Sequence, residues 1–296
     1  MIIKEHINVK DDRLIDGLTP VVRMMSQIEN SGVQKVTIDF SDTRFISPVF
    51  ALSLIVYLSR CGKQIDFTNV PDYLERIGFG NGGIKPDMMR LTEFLAELEK
   101  YASKTYIPII DFAAGRNSDA KEVVSSIAEN MIIHQLNIRS NVANGLKYLI
   151  DETLDNITEH SESDRGYIFA QAYPFKGFLD VCIADRGVNL LGSYQKLPDN
   201  EISSDIEAIK AANRGLSCKN LPDAENRGFG IRTSKKMLIQ GLGGQYLMIS
   251  GSSLYIKTPN LDSFYSMPHG LRWNGTIVAL RIPYHSTTFN YINYIE

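Results

Sequence analysis

Apolar and polar residues along the chain follow two rhythms, a period of two and a period near 3.6, and the switches between them mark the predicted elements. Val36–Phe40 and Ile65–Phe67 read as strands. Between them, Val49, Phe50, Ala51, Leu52, Leu54, Ile55, Val56 and Leu58 make a helix that is apolar nearly all round, so it is expected to be sandwiched inside a domain. Its ends are punctuated: Ser47 can accept hydrogen bonds as N-cap, Pro48 fits the first turn and Gly62 closes the C-terminus. A further helix at Tyr73–Ile77 completes a small α/β unit.

Gly80, Asn81, Gly82, Gly83 and Pro86 then form a boundary, which predicts one domain over 1–83, a connector helix within 84–104 and a second domain over 105–296. Met88–Tyr101 reads as the amphipathic connector, and Tyr106–Asp111 as an edge strand that opens the second domain. Helices are expected at Ala120–Gln135, Val142–Glu159 and Ile231–Gln240. Tyr167–Tyr173 and Phe178–Ala184 make a hairpin, and strands at Tyr246–Ile249, Leu254–Lys257 and Ile277–Ile282 complete an antiparallel set. Leu190–Arg227 is polar and turn-rich with one helical stretch at Ser204–Ala212, the pattern of a lid or binding loop.

Composition narrows the function classes. The chain has 296 residues, 44% hydrophobic and 22% charged, the balance of a globular protein with room for two domains. A formal charge of −3 gives no basic field for nucleic acid. No apolar run approaches the ~18 residues of a membrane span, and Met1–Lys10 has no export signal. Cys61, Cys182 and Cys218 are scattered without metal-ligand spacing, which reads as free thiols in a reducing cytoplasm.

The candidate chemistry lies in the second domain. On the helix Val142–Glu159, the residues Val142, Leu146, Leu149, Ile150, Leu154 and Ile157 share one arc, and Glu152, Asn156 and His160 form a polar stripe along its edge. Asp185-Arg-Gly-Val-Asn189 follows directly from an apolar strand, which puts Asp185 at a strand end and Gly187 in a tight turn. Arg227-Gly-Phe-Gly-Ile231 opens a helix, where backbone N–H groups and the helix dipole favour an anion. Asn274-Gly-Thr276 begins the last strand. Each piece alone is consistent with ordinary turns and a solvated helix face; their order on these elements is what points to a site.

In that order the pieces resemble the boxes of Bergerat-fold (GHKL) ATPases, closest to the anti-sigma-factor serine kinases. Leu149–His160 (LIDETLDNITEH) is similar to their N-box, Asp185–Asn189 to the first glycine box, Gly228-Phe-Gly230 to the second, and Gly275-Thr276 to a late Gly-Thr pair. The resemblance spans roughly residues 105 to 283. It implies a two-layer sandwich with a mixed, largely antiparallel sheet and helices on one face, holding ATP and Mg²⁺ between helix and lid. Asn156 would ligate Mg²⁺, Asp185 would accept from the adenine amino group, and Thr276 would support adenine through water. Glu152 would polarise the nucleophile, while Gly187, Asn189, Arg227, Gly228 and Gly230 would line the nucleotide. Within the polar lid-like segment itself, Lys219 and Arg227 are candidate phosphate contacts, although solvation is the commoner fate of such charges. Asn189 stands where the family has glycine. If that position needs a positive φ, asparagine is the least costly replacement.

Val36–Ile46, the buried helix and Phe67–Val70 resemble a STAS domain, the fold of anti-sigma antagonists, over about residues 1–80. Those antagonists carry Asp-Ser where this chain has Ser47-Pro48, so the phosphoacceptor is displaced or absent. Two functions are therefore expected to compete. One is a regulatory ATPase or protein serine kinase, favoured by Glu152; the other is a nucleotide-gated module that binds a protein partner with little turnover, favoured by Pro48 and Asn189.

Overall fold

The computed structural model describes residues 1–4, 13–114, 124, 140–160, 162–198, 200–216, 229–283 and 289–294, without the side chains of 140–141, 156–160, 229–231, 269 and 291. The chain is mixed α/β, with a three-stranded parallel sheet and a seven-stranded antiparallel one. Strands β1 (Ile2–Lys4), β2 (Lys35–Asp39) and β3 (Gln64–Thr68) pair in that order. They alternate with α1 (Leu18–Asn30), α2 (Pro48–Leu58) and the short α3 (Asp72–Arg76). The connector is a shorter helix than expected, α4 (Leu91–Glu99), because Pro86–Met88 forms a separate 3₁₀ turn.

The larger sheet contains β4 (Tyr106–Ala113), β5 (Arg165–Tyr173), β6 (Phe178–Asp185), β7 (Gln245–Gly251), β8 (Ser253–Thr258), β9 (Leu261–Ser266) and β10 (Trp273–Pro283). Their spatial order is β4-β5-β6-β10-β7-β8-β9. The helices of this half are α5 (Ser140–His160), α6 (Leu190–Tyr194), α7 (Asp205–Asn213) and α8 (Phe229–Lys236), the last running into a π turn at Met237–Gly241. The helix expected at Ala120–Gln135 lies outside the described residues except for Val124.

The expected α/β class holds, with one correction. Every pairing among the described strands of the large sheet is antiparallel, so the sheet is not mixed. Among the described residues the helices of this half pack on one face, as expected, and the N-terminal unit covers the other. Side chains alternate with period two. Leu179, Val181 and Ile183 of β6 and Val278, Leu280 and Ile282 of β10 face α5, together with Leu146, Leu149, Ile150 and Leu154. Cys182, Ala184, Ile277 and Ala279 face the opposite way and join one apolar cluster with Val21 and Met25 of α1, Phe50 and Leu54 of α2, and Val36 and Ile38 of β2. The all-apolar surface of α2 is thus used up between two sheets.

Polar contacts fix this packing. The Trp273 indole N–H donates to the Ser53 carbonyl (2.9 Å), the Tyr73 hydroxyl to Gln171 Oε1 (3.2 Å), and the Leu14 backbone N–H to Gln245 Oε1 (3.1 Å). Deeper in the same face, Arg281 makes a two-point ion pair with Asp180 (2.7 and 2.8 Å) while its guanidinium lies 3.9 Å from the Phe178 ring centre.

Ser47 caps α2 as expected: its backbone is extended and Oγ accepts from the Phe50 N–H at 3.3 Å. It is buried under Gly17, where a Cβ would lie 2.2 Å from that Oγ. A phosphate has no room here. After incubation with Mg²⁺ and ATP, mass spectrometry should find Ser47 unmodified; stoichiometric phosphate on it would contradict this packing. Gly17→Ala should turn the hydroxyl out of its cap and lower unfolding stability by about 1 kcal/mol, read by urea denaturation.

Candidate functional site

The site is built at one end of the large sheet, on the α5 side. Asp185 ends β6, and by register its neighbour on β10 is Thr276, which in turn pairs with Ser250 of β7. Three polar side chains from three adjacent strands therefore stand in a row beyond the apolar face. Two backbone donors hold the Asp185 carboxylate: the Gly187 N–H on Oδ1 (2.7 Å) and the Thr276 N–H on Oδ2 (3.0 Å). Asp185 is only 1% exposed. Burial pushes its carboxyl up to about 7, against the pull of those two N–H groups, which favour the ionised form.

β10 makes room for this arrangement by a bulge. Its register with β7 shifts between Trp273 and Thr276, and Gly275 within the shift has φ +87°. A Cβ there would meet the Asp185 backbone oxygen at 2.3 Å and Oδ1 at 2.6 Å. Glycine is demanded both by conformation and by space.

Ser250 was not foreseen from the sequence, because a serine at a strand end carries no local signal. Its Oγ donates to the Gly275 carbonyl (3.2 Å), accepts from the Leu190 N–H (2.9 Å) and lies 3.2 Å from Thr276 Oγ1. It joins the turn after Asp185 to the Gly-Thr pair. Asp205, equally unforeseen, receives the Ser252 N–H (2.9 Å) and hydroxyl (2.8 Å) and the Asn189 side-chain amide (3.3 Å).

Asn189 does not need the positive φ for which asparagine would be the least costly replacement. Its φ is −70°, not positive, and its Oδ1 accepts from the Gly192 N–H at 2.8 Å as the N-cap of α6. Asparagine is here for its side-chain oxygen, which glycine would lack. Of the segment expected as a lid or binding loop, 190–216 is described, and its expected helical stretch stands as α7. Tyr194, Ala208 and Ala211 form an apolar cluster with Leu190, Leu191, Leu197 and Ile202, the Tyr194 hydroxyl donates to the Leu216 carbonyl, and Ser204 caps α7 with Glu207. Lys235 of α8 reaches the Asn213 carbonyl (3.1 Å) and ties the end of α7 down.

The remaining candidates distribute as follows. Glu152 is half-buried on α5, the helix that covers the face carrying Asp185 and Thr276. It is not free: Tyr148, one turn earlier, hydrogen-bonds to it, and burial together with the Glu152 charge pushes that phenol up to about 12. Asn156 and His160 lie on the last turns of α5 and Gly230 opens α8, with their side-chain environments outside the described residues. Lys219, Arg227, Gly228 and Cys218 lie wholly outside them. The structure therefore brings together Asp185, Gly187, Asn189 and Thr276. Among the described residues no three of His, Cys, Asp and Glu converge on a metal position. Cys182 is buried in the sheet, and the Cys61 thiol points to the Leu58 carbonyl. An open groove of about 660 Å³ runs elsewhere, along β3, lined by Ile65, Phe67, Val70 and Glu75 among others, and borders none of these residues.

No helix among the described residues is long and apolar enough to cross a membrane. Comparison with protein-family models and with curated proteins finds no match for this chain.

Proposed function

We propose that the chain binds ATP with Mg²⁺ through the Asp185 end of the large sheet and uses it as a regulatory ATPase or protein serine kinase of the Bergerat type. The observation that carries the reading is the Asp185–Thr276–Ser250 row, with a desolvated carboxylate and a glycine bulge that no packing need of an ordinary strand requires. In this reading a purine amino group donates to Asp185, Thr276 supports the ring, and the face of α5 with Glu152 and Asn156 flanks the phosphates. The bound metal would neutralise phosphate charge; one amide oxygen from Asn156 plus phosphates and waters suffices for Mg²⁺. The buried, capped Ser47 favours an acceptor other than the N-terminal unit, whether water or a separate protein.

Isothermal calorimetry with Mg²⁺ and ATP tests the reading. Wild type should bind, and Asp185→Ala should bind about 10- to 100-fold more weakly, the worth of a hydrogen bond to a charged group. Equal affinities would remove the adenine assignment. The raised carboxyl sets a pH dependence. A donor on the ligand needs the ionised form, which is the minor one below about 7 and dominant above it. Affinity should therefore rise about tenfold from pH 6 to pH 8, following the competent fraction. Binding near pH 7 should release a proton, visible as a buffer-dependent heat; a flat profile would count against Asp185 as the acceptor.

A further inference from the structure

The peptide group between Arg186 and Gly187 is held from both sides. Its N–H donates to Asp185 Oδ1 at 2.7 Å, and its carbonyl oxygen accepts from Arg60 Nη2 at 3.0 Å. Arg60 belongs to the N-terminal unit. It follows α2 directly, with its own N–H on the Tyr57 carbonyl (3.1 Å), so it rides on the end of the helix buried between the two sheets. The Arg186 side chain is anchored separately by two bonds to Asp164 (3.1 and 2.6 Å). Arg60 also lies close enough to help hold the Asp164 carboxyl below its usual range, after the larger effect of Arg186. Besides Asp185, the charged groups near this peptide include Arg60, Arg186 and Asp164, with Asp111 also acting on Arg186.

We propose that Arg60 is a positioning residue for the Asp185 carboxylate: by gripping the Arg186 carbonyl it fixes the peptide plane whose N–H supports Asp185, and it makes nucleotide affinity depend on where α2 sits. The nucleotide half of this inference rests on the function proposed above; the carboxylate half does not. A peptide plane is rigid, so a rotation that takes the carbonyl away from Arg60 also turns the opposite N–H away from Asp185. Loss of that N–H removes a bond that favours the charged carboxylate, and burial then dominates. Any partner that shifts α2 against the sheet would change the site without touching it.

The test uses the full chain with ¹³C-labelled aspartate. The Asp185 carboxyl resonance, assigned by its loss in Asp185→Asn, is titrated in wild type, Arg60→Ala and Arg60→Lys, and Mg²⁺–ATP affinity is measured in parallel. In Arg60→Ala the midpoint should move upward and affinity should fall roughly 3- to 10-fold at pH 7. The thermal unfolding midpoint should hardly change, because Arg60 is exposed. Arg60→Lys, which keeps a cationic donor, should recover part of both effects. An unmoved Asp185 midpoint in Arg60→Ala overturns the proposal, whatever the affinity does. If wild type binds no adenine nucleotide but the midpoint still moves, the positioning role stands and the proposed function falls.

Discussion

Arg281→Met should lower unfolding stability by about 3–5 kcal/mol, the usual cost of leaving one partner of a buried ion pair unpaired. Asp180 faces Arg281 directly across β6 and β10, and both are almost wholly buried on the side of the sheet covered by the N-terminal unit. Arg281 supplies both donors that satisfy the Asp180 carboxylate, and it also sits over Phe178. Its removal leaves a carboxyl group that burial already pushes upward, so the protein must protonate it or admit water. The double variant Asp180→Leu/Arg281→Met should recover most of the loss, because an apolar pair of similar volume has no desolvation cost. Urea unfolding of the two variants checks both statements. A single variant within 1 kcal/mol of wild type would show that the pair is not carrying the interface. Asp180 lies five residues before Asp185 on the same strand, so nucleotide affinity should survive wherever the fold does.

Glu152→Gln should leave Mg²⁺–ATP binding intact and slow phosphoryl transfer by about 10²–10⁴, the range for losing a general base. The amide keeps the side chain's size and its place one turn before Asn156, but loses the basic oxygen that, in the proposed function, orients water or a serine hydroxyl. Tyr148 adds a control. Because its phenol already hydrogen-bonds to the Glu152 carboxylate, Tyr148→Phe should remove that bond and leave the carboxylate in place. Its effect on rate should be much smaller than that of Glu152→Gln. Asn156→Ala should instead weaken the Mg²⁺-dependent part of binding. Free phosphate and labelled protein, both scored with γ-labelled ATP, give the rate. If wild type turns over no faster than Glu152→Gln while both bind, the enzyme reading gives way to the nucleotide-gated module.

Much of this organisation was legible in the chain because local rules wrote it. Ser47 and Pro48 open α2, which ends at Ser59 before the expected Gly62; the alternation in Tyr167–Tyr173 and Phe178–Ala184 gives the β5–β6 hairpin, and the end of that second run places Asp185. What stayed hidden depended on partners far along the chain. The uniform apolarity of α2 announced burial on all sides but not that the large sheet would be one of them. The α1 helix did carry a local signal, since Leu18, Val21, Met24, Met25 and Ile28 recur at helical spacing with Thr19, Arg23 and Ser26 on the opposite face. β9 escaped because an edge strand that faces solvent needs no apolar alternation. The role of Asn189 stayed open for a related reason. An asparagine before a short helix can serve as a left-handed turn or as a cap, and only the Gly192 N–H decides between them. Ser250 and Asp205 act through neighbours 26 and 47 residues away, which no sequence window can register.

The position of β10 between β6 and β7 bears on how the molecule is made. It is the last of the described strands in the chain and lies inside the sheet, so during synthesis the earlier strands exist only as two separate ribbons, β4-β5-β6 and β7-β8-β9. Each ribbon then has an open edge with unpaired backbone groups, and α2 lacks the Trp273 contact that pins it. Pairing across such sequence separations is slow. A ribosome stalled before residue 273 should therefore carry an adhesive, chaperone-dependent nascent chain, and release of β10 should be the step that joins the two ribbons and closes those edges.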